Sequence, residues 1–316
     1  MQGCRDAGMQ GRRRSPQPLP FLILSRILRT LLPTHAQARR ATMIRREFIV
    51  TSALGTASAL ADHMTSLDSL TPVLPSLVAS AEPTTNLAAT RKILIAGGGF
   101  RTSFIRYMAQ LTGKPRPRLC FLPTASADSA EATIGWYASC APLNVEAHVQ
   151  NVFIESLTQT QGWDDVLLSM DGIVCSGGNT LNQQAIWKAQ GIDGILRQAW
   201  DRGIVLGGAS AGSLCWFEEG TTDSRPKTLS IVKCLGFLKG SHSPHYDAEP
   251  GRRPLYQKLI SAGDMKPGYA CDNDAGLYFE DNEVKRVVSS RVGAKVYYVS
   301  MVNGVINERV MEPETI

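Results

Sequence analysis

Ser210 closes an apolar run, Ile204-Val205-Leu206, inside the small-residue sequence Gly208-Ala209-Ser210-Ala211-Gly212. A strand that turns sharply into a helix at a strained serine needs such neighbours, because side chains at Gly208 or Gly212 would collide with the strand or the helix. The pattern reads as a nucleophile elbow, and its chemistry would be acyl transfer through a covalent intermediate. A plain strand-to-helix turn or a phosphate cradle can use the same residue types. A serine is a weak nucleophile at neutral pH, so the reading requires a base nearby and a partner that fixes the tautomer of that base.

The candidate bases are few. His148 lies in an alternating strand pattern and reads as a surface or packing residue, whereas His242 and His245 share the loop sequence Ser241-His242-Ser243-Pro244-His245-Tyr246-Asp247 downstream of the serine. Pro244 stiffens the backbone before His245, and Tyr246 could support the ring from the side. His245 is therefore the favoured base and His242 the alternative. A second glycine turn, Gly177-Gly178-Asn179-Thr180, closes another strand. Ligands gather outside the carboxyl ends of parallel strands, so this turn can face the same cleft, with backbone N–H groups there and on Ala211 aimed at a developing oxyanion. No lysine or Walker pattern follows either glycine turn, and no cofactor is expected. His242, His245 and Asp247 could be drawn as metal ligands, but they sit in a loop with no helix to hold them, so no metal site is expected.

The elements that must carry these residues alternate. Strand patterns at Lys92 to Ala96, Arg118 to Ser126 with its loop, Val145 to Phe153 and Gly172 to Cys175, and the strand that opens the Ile204 to Leu214 run, are separated by helical periodicity at Thr102 to Leu111, Ser129 to Cys140 and Leu181 to Arg202. This order predicts an α/β fold, a doubly wound and mostly parallel sheet with helices on both faces. After the serine the pattern changes. A strand over Leu229 to Leu238, a helix over Arg253 to Ala262 and several short strands from Tyr269 to Val310 predict an added antiparallel C-terminal edge.

Composition bounds the rest. Hydrophobic residues make up 43% and charged residues 19% of 316, which argues for a packed core and against a disordered chain. Ten of the 33 basic residues but only four of the 28 acidic ones fall in residues 1–81, so the remainder, 23 against 24, is nearly neutral and offers no nucleic-acid footprint. Arg45-Arg46-Glu47-Phe48-Ile49, the small apolar run to Ala61 and Ala79-Ser80-Ala81 resemble a twin-arginine export signal over residues 43–81. That run is too short to span a bilayer. The expected organisation is a leader over 1–81, a linker over 82–90 and a catalytic domain over 91–316. The product would be exported to the periplasm without a stable membrane span, with a cytoplasmic location as the alternative. The cysteines show no pairing pattern.

Four ordered motifs carry a family resemblance: Gly177-Gly178-Asn179-Thr180, Gly208-Ala209-Ser210-Ala211-Gly212, Thr221-Thr222-Asp223-Ser224 and Ser243-Pro244-His245-Tyr246. Together they resemble the dipeptidase E and cyanophycinase family of serine peptidases, over about residues 91 to 300. The resemblance implies a class I glutamine amidotransferase-like fold, Ser210 as nucleophile, His245 as base, and the N–H groups of Gly178 and Ala211 as oxyanion donors. In the dipeptidase E branch an aspartate after a Thr-Thr pair completes the triad, which Asp223 matches. The cyanophycinase branch uses a glutamate in an Asp-Glu pair, and the comparable place here, Asp272-Asn273-Asp274, carries asparagine, which favours Asp223. Glu218 and Glu219 are alternatives. The implied substrate is a short peptide, above all a dipeptide with N-terminal aspartate, whose carboxylate Arg252 and Arg253 could meet, with Asn179 beside it. A homodimer is an open option. The rival readings are a cyanophycinase-like peptidase, an esterase, and a catalytically silent amidotransferase-like binding module.

Overall fold

The computed structural model describes residues 89–155 and 159–316. The export signal and most of the linker lie outside the described residues. From Lys92 onward the chain runs β1 (Lys92–Ala96), α1 (Thr102–Leu111), β2 (Arg118–Leu122), α2 (Ala130–Cys140), β3 (Glu146–Val149), α3 (Trp163–Leu167), β4 (Gly172–Cys175), α4 (Thr180–Gln190), α5 (Ile192–Asp201) and β5 (Val205–Ala209). It continues through α6 (Ala211–Leu214), β6 (Phe217–Arg225), β7 (Thr228–Lys233), β8 (Leu238–Ser243), α7 (Arg252–Ala262), β9 (Gly268–Cys271), β10 (Ala275–Glu280), β11 (Glu283–Ser289), β12 (Val296–Val302), β13 (Val305–Met311) and β14 (Glu314–Thr315).

The expected parallel sheet is present: β1, β5, β4, β2 and β3 pair in that order, all parallel. The four strands β1, β5, β4 and β2 are apolar on both faces, as helix-covered parallel strands must be, while the edge strand β3 alternates. Ile93, Ile95, Cys120, Leu122, Ile173 and Leu206 pack with Trp187, Leu196 and Trp200 of α4 and α5. The alternate residues Leu94, Ala96, Leu119, Phe121 and Val174 pack with Phe104, Ile105 and Met108 of α1 and Trp136 of α2. The helical pattern from Leu181 to Arg202 is two helices, because Gly191 takes a left-handed conformation (φ 71°) that ends α4.

The C-terminal half departs from the expected edge. β10 and β11 do extend the sheet beyond β1 in antiparallel fashion, and β14 adds in parallel. The other late strands form a separate six-stranded sheet in the order β13-β12-β9-β8-β6-β7. Its β6–β8 and β8–β9 pairs are parallel. The strand expected over Leu229 to Leu238 is divided between β7 and β8 by a turn at Gly236 (φ 67°). Glu218 and Glu219 lie on β6: α6 ends at Leu214, and the β-branched Thr221 and Thr222 are buried in the strand that follows. Phe217, Leu238 and Val296 of the second sheet, with Phe237 just before β8, join the α4–α5 side of the main core.

Candidate active site

Ser210 stands between β5 and α6 with φ 58° and ψ −119°, a backbone that a side chain rarely adopts and that persists only when its surroundings hold it. The surroundings are backbone. A Cβ on Gly208 would lie 2.3 Å from the Cys175 carbonyl oxygen, and one on Gly212 would lie 2.1 Å from the same atom. The two glycines therefore let the start and end of the turn press against the end of β4. Ser210 N–H donates to Ala96 O at 3.4 Å, and Ser210 O accepts from Leu214 N–H at 2.9 Å. Gly177 runs alongside, close enough that a Cβ there would be 3.2 Å from Ser210 Cβ.

Gly178 (φ 130°) lies against the Ala125 carbonyl, where any side chain would meet it at 2.2 Å. Among the described residues, neither Gly178 N–H nor Ala211 N–H has a hydrogen-bond acceptor. Two donors are thus left on the glycine turn and on the residue after Ser210.

His245 follows β8 and also has a positive φ, 54°. Its Nδ1 lies 2.7 Å from Asn273 Oδ1, so an Nδ1–H donating to the amide oxygen leaves Nε2 with the lone pair. Its Cε1 lies over Gly98, at 3.0 Å from where a Cβ would sit. Ser210 and His245 line one cavity of about 670 Å³ at the carboxyl ends of β1, β4 and β5.

Asn273 is itself held from three sides. Its N–H donates to Asp247 Oδ1 at 2.8 Å, and its carbonyl accepts from Arg291 Nη2 at 2.8 Å. Its backbone also bridges to Gly98. Arg291 pairs with Asp247 and, at 3.4 Å, with Asp274. The two carboxylates and the guanidinium fix the segment that presents the amide.

The expected partner of His245 was Asp223, and the structure does not bring the two together. Asp223 lies toward the end of β6 with its side chain 62% exposed, 3.4 Å from Arg252 Nη2. Asn273 occupies the place beside the ring. Asn273, from the Asp272-Asn273-Asp274 motif, is the side chain whose oxygen the ring meets.

Arg252, Arg253 and Asn179 are also placed away from the cavity. Arg252 is fully buried, donating to Glu249 Oε2 at 2.6 Å and to Thr221 O at 2.7 Å, so it ties α7 to β6. Arg253 pairs with Glu308 and stacks over Tyr246 and Tyr297. Asn179 caps α4 by accepting from Asn182 N–H at 2.9 Å and donates to Ser224 O at 3.0 Å. Tyr246 does not flank the histidine: it packs among Tyr256 and Tyr297, with its hydroxyl donating to Glu308.

His242 belongs to the core. Its side chain stacks on Phe217 with centroids 4.9 Å apart, Nδ1 meets Tyr269 O at 3.0 Å, and Nε2 meets Ser213 Oγ at 3.0 Å. Burial pushes its ring down to about 3, so it is neutral at physiological pH. Among the described residues no group of His, Cys, Asp and Glu is arranged to hold a metal ion. No described helix is long and apolar enough to cross a membrane, and the cysteines described are free.

Comparison with known proteins agrees with this architecture. Peptidase family S51 matches residues 93–287, which contain every residue of the cavity and its supports up to β11. The uncharacterized peptidase YgaJ of Bacillus subtilis (strain 168) is 43% identical over 224 residues, covering 68% of this chain and 94% of that protein. The crystal structure of a peptidase from an acI-B1 Actinobacterium shares the fold at 14% identity, with a TM-score of 0.55, over 71% of this chain and 95% of the other. The turn at Ser210 thus lies in a peptidase scaffold matched both in sequence and in shape, and the chain belongs to peptidase family S51.

Proposed function

We propose that this peptidase is a serine-type exopeptidase of short peptides, with Ser210, His245 and Asn273 as its triad. The observation that carries the reading is the convergence of Ser210 and an Asn273-anchored His245 on one cavity. In this reading the turn at Ser210 is a nucleophile elbow. Ser210 Oγ attacks the scissile carbonyl while His245 Nε2 takes its proton, and the N–H groups of Gly178 and Ala211 receive the charge on the carbonyl oxygen. His245 then gives the proton to the leaving amine, and water attacks the acyl-serine by the same steps. Asn273 supplies the tautomer but not the negative charge, as the asparagine does in Cys-His-Asn enzymes. The imidazolium formed here would receive less stabilisation than beside a carboxylate.

An N-terminal aspartate in the substrate, which the family resemblance implies, would need a cation in the cleft. Arg252 and Arg253 are engaged elsewhere and take structural roles in this reading, while Arg101 lines the cavity. Replacing Ser210 by alanine should reduce dipeptide hydrolysis by about 10⁴-fold or more while the far-UV spectrum and melting curve stay unchanged. Full activity in that variant would exclude Ser210 as the nucleophile. We also propose export through residues 43–81: changing Arg45 and Arg46 to lysine should hold the unprocessed chain in the cytoplasm in a cell-fractionation assay, and unchanged export would refute it.

A further inference from the structure

Ser213 lies one helical turn after Ser210 and has no part in the triad, yet its side chain is fully buried between two acceptors. Its Oγ is 2.8 Å from Ser210 O and 3.0 Å from His242 Nε2. On the far side of that ring Nδ1 lies 3.0 Å from Tyr269 O, a carbonyl that can only accept, so Nδ1 carries a hydrogen. Burial keeps the ring neutral, which makes Nε2 an acceptor too. The Ser213 hydroxyl has one hydrogen for both.

A chain of contacts therefore runs from Tyr269 of β9 through His242 of β8 and Ser213 to the carbonyl of Ser210. That carbonyl already accepts from Ser213 N–H at 3.1 Å and from Leu214 N–H at 2.9 Å, so it does not depend on the hydroxyl. The basic ring nitrogen has no donor but Ser213 among the described residues and holds the hydrogen at rest. Ser210 C=O and Ala211 N–H are two ends of one peptide unit. A negative charge that accepts from the N–H polarises the unit and makes the carbonyl the stronger acceptor.

We propose that Ser213 is a positioning residue for the oxyanion donor Ala211: its hydroxyl hydrogen turns from His242 Nε2 to Ser210 O as charge builds on the substrate oxygen. The turn is a rotation about Cβ–Oγ, and no bond to hydrogen breaks. Because the added hydrogen bond exists only while the charge does, it speeds the chemical step without tightening substrate binding. The proposal deepens the serine-peptidase reading and rests on Ser210 as nucleophile.

The test is the rate at which a fluorophosphonate labels Ser210 in the full chain. In that reaction Ser210 Oγ displaces fluoride from phosphorus, His245 takes the proton, and the phosphoryl oxygen stands where the oxyanion would. Ser213→Ala should slow labelling about five- to tenfold, and should lower kcat by the same factor, with KM within about twofold, for the dipeptide that the wild type hydrolyses fastest. Ser213→Thr keeps the hydroxyl and should restore most of the rate. His242→Phe keeps a ring against Phe217 but removes the competing acceptor, so it should label at least as fast as the wild type even though it melts lower. Melting curves fix a temperature at which every variant is folded. A wild-type labelling rate in Ser213→Ala, a change in KM in place of kcat, or equal slowing by His242→Phe and Ser213→Ala would overturn the proposal. A wild-type chain that neither labels at Ser210 nor hydrolyses any dipeptide would instead refute the catalytic reading, and the proposal with it.

Discussion

His242 and His245 are three residues apart and occupy opposite media. His242, at the end of β8, is enclosed by Phe217, Ser213 and Tyr269 and is held neutral by burial. His245 has left the strand through a positive φ and shares the open cavity with Ser210. Both rings have Nδ1 tied to an oxygen, a backbone carbonyl for one and the Asn273 amide for the other. The difference lies at Nε2. In His242 it is spent on Ser213, whose hydroxyl also lies 2.8 Å from Ser210 O, whereas in His245 it carries no hydrogen bond among the described residues. A histidine fit to accept a proton is therefore distinguished here by an unspent nitrogen facing a cleft, not by proximity in sequence to the serine.

The sharpest way to break this contrast is to remove each ring in turn. His245→Ala should cut dipeptide hydrolysis by about 10⁴-fold with little change in the urea-unfolding midpoint; retained activity would place the base elsewhere. His242→Ala should instead appear in the unfolding curve, with a loss of about 3 kcal/mol from the cavity beside Phe217 and from the Ser213 and Tyr269 groups left without a partner. Removing the amide is a smaller perturbation. Asn273→Ala should lower kcat by about 10- to 100-fold, in line with one lost orienting hydrogen bond, and Asp223→Asn should leave kcat within about twofold. The reverse order of these two effects would restore Asp223 to the triad.

The mildest test is pH. The unfolded His242 ring titrates near its ordinary value of 6.5 and the folded ring near 3, so between those values the unfolded chain binds the additional proton. The contribution of the neutral ring to stability is complete above about pH 6.5 and is lost as the pH falls toward 3, at up to about 1.4 kcal/mol per pH unit. Urea titrations at a series of pH values should show this slope in the wild type and a shallower one in His242→Ala. Equal slopes would mean that the ring is not held neutral by its surroundings.

The parts of the molecule that are legible in the sequence share a physical reason. The parallel strands β1, β2, β4 and β5 are buried on both faces and so appear as apolar runs, and the turn at Ser210 needs small residues on each side that no packing preference would otherwise select. The second sheet hides for the opposite reason. β6 and β8 carry Gly, Ser, Thr and His in the buried positions that apolar residues usually mark, as in Thr221, Thr222, Ser241 and His242. Asn273 is hidden differently: it is separated from His245 by 28 residues, and its fitness depends on Asp247 and Arg291, which no local pattern joins to it. The structural role of Arg252 is hidden because its partners come from the loop before α7, at Glu249, and from β6, at Thr221 and Asp223. Arg101 had a usable signal, since it follows Gly97-Gly98-Gly99 at the carboxyl end of β1, where ligands of parallel sheets collect.

Arg291 is also among the last of these pieces to be made. A ribosome delivers Ser210 first and His245 next, and the clasp on Asn273 is complete only when the chain beyond β11 has emerged and Arg291 has reached Asp247. On the proposed triad, a truncated or still-growing chain would hold a serine and a histidine without the fixed amide between its two sheets. On that triad, competence to cut peptide bonds would wait until the chain through Arg291 is made and folded.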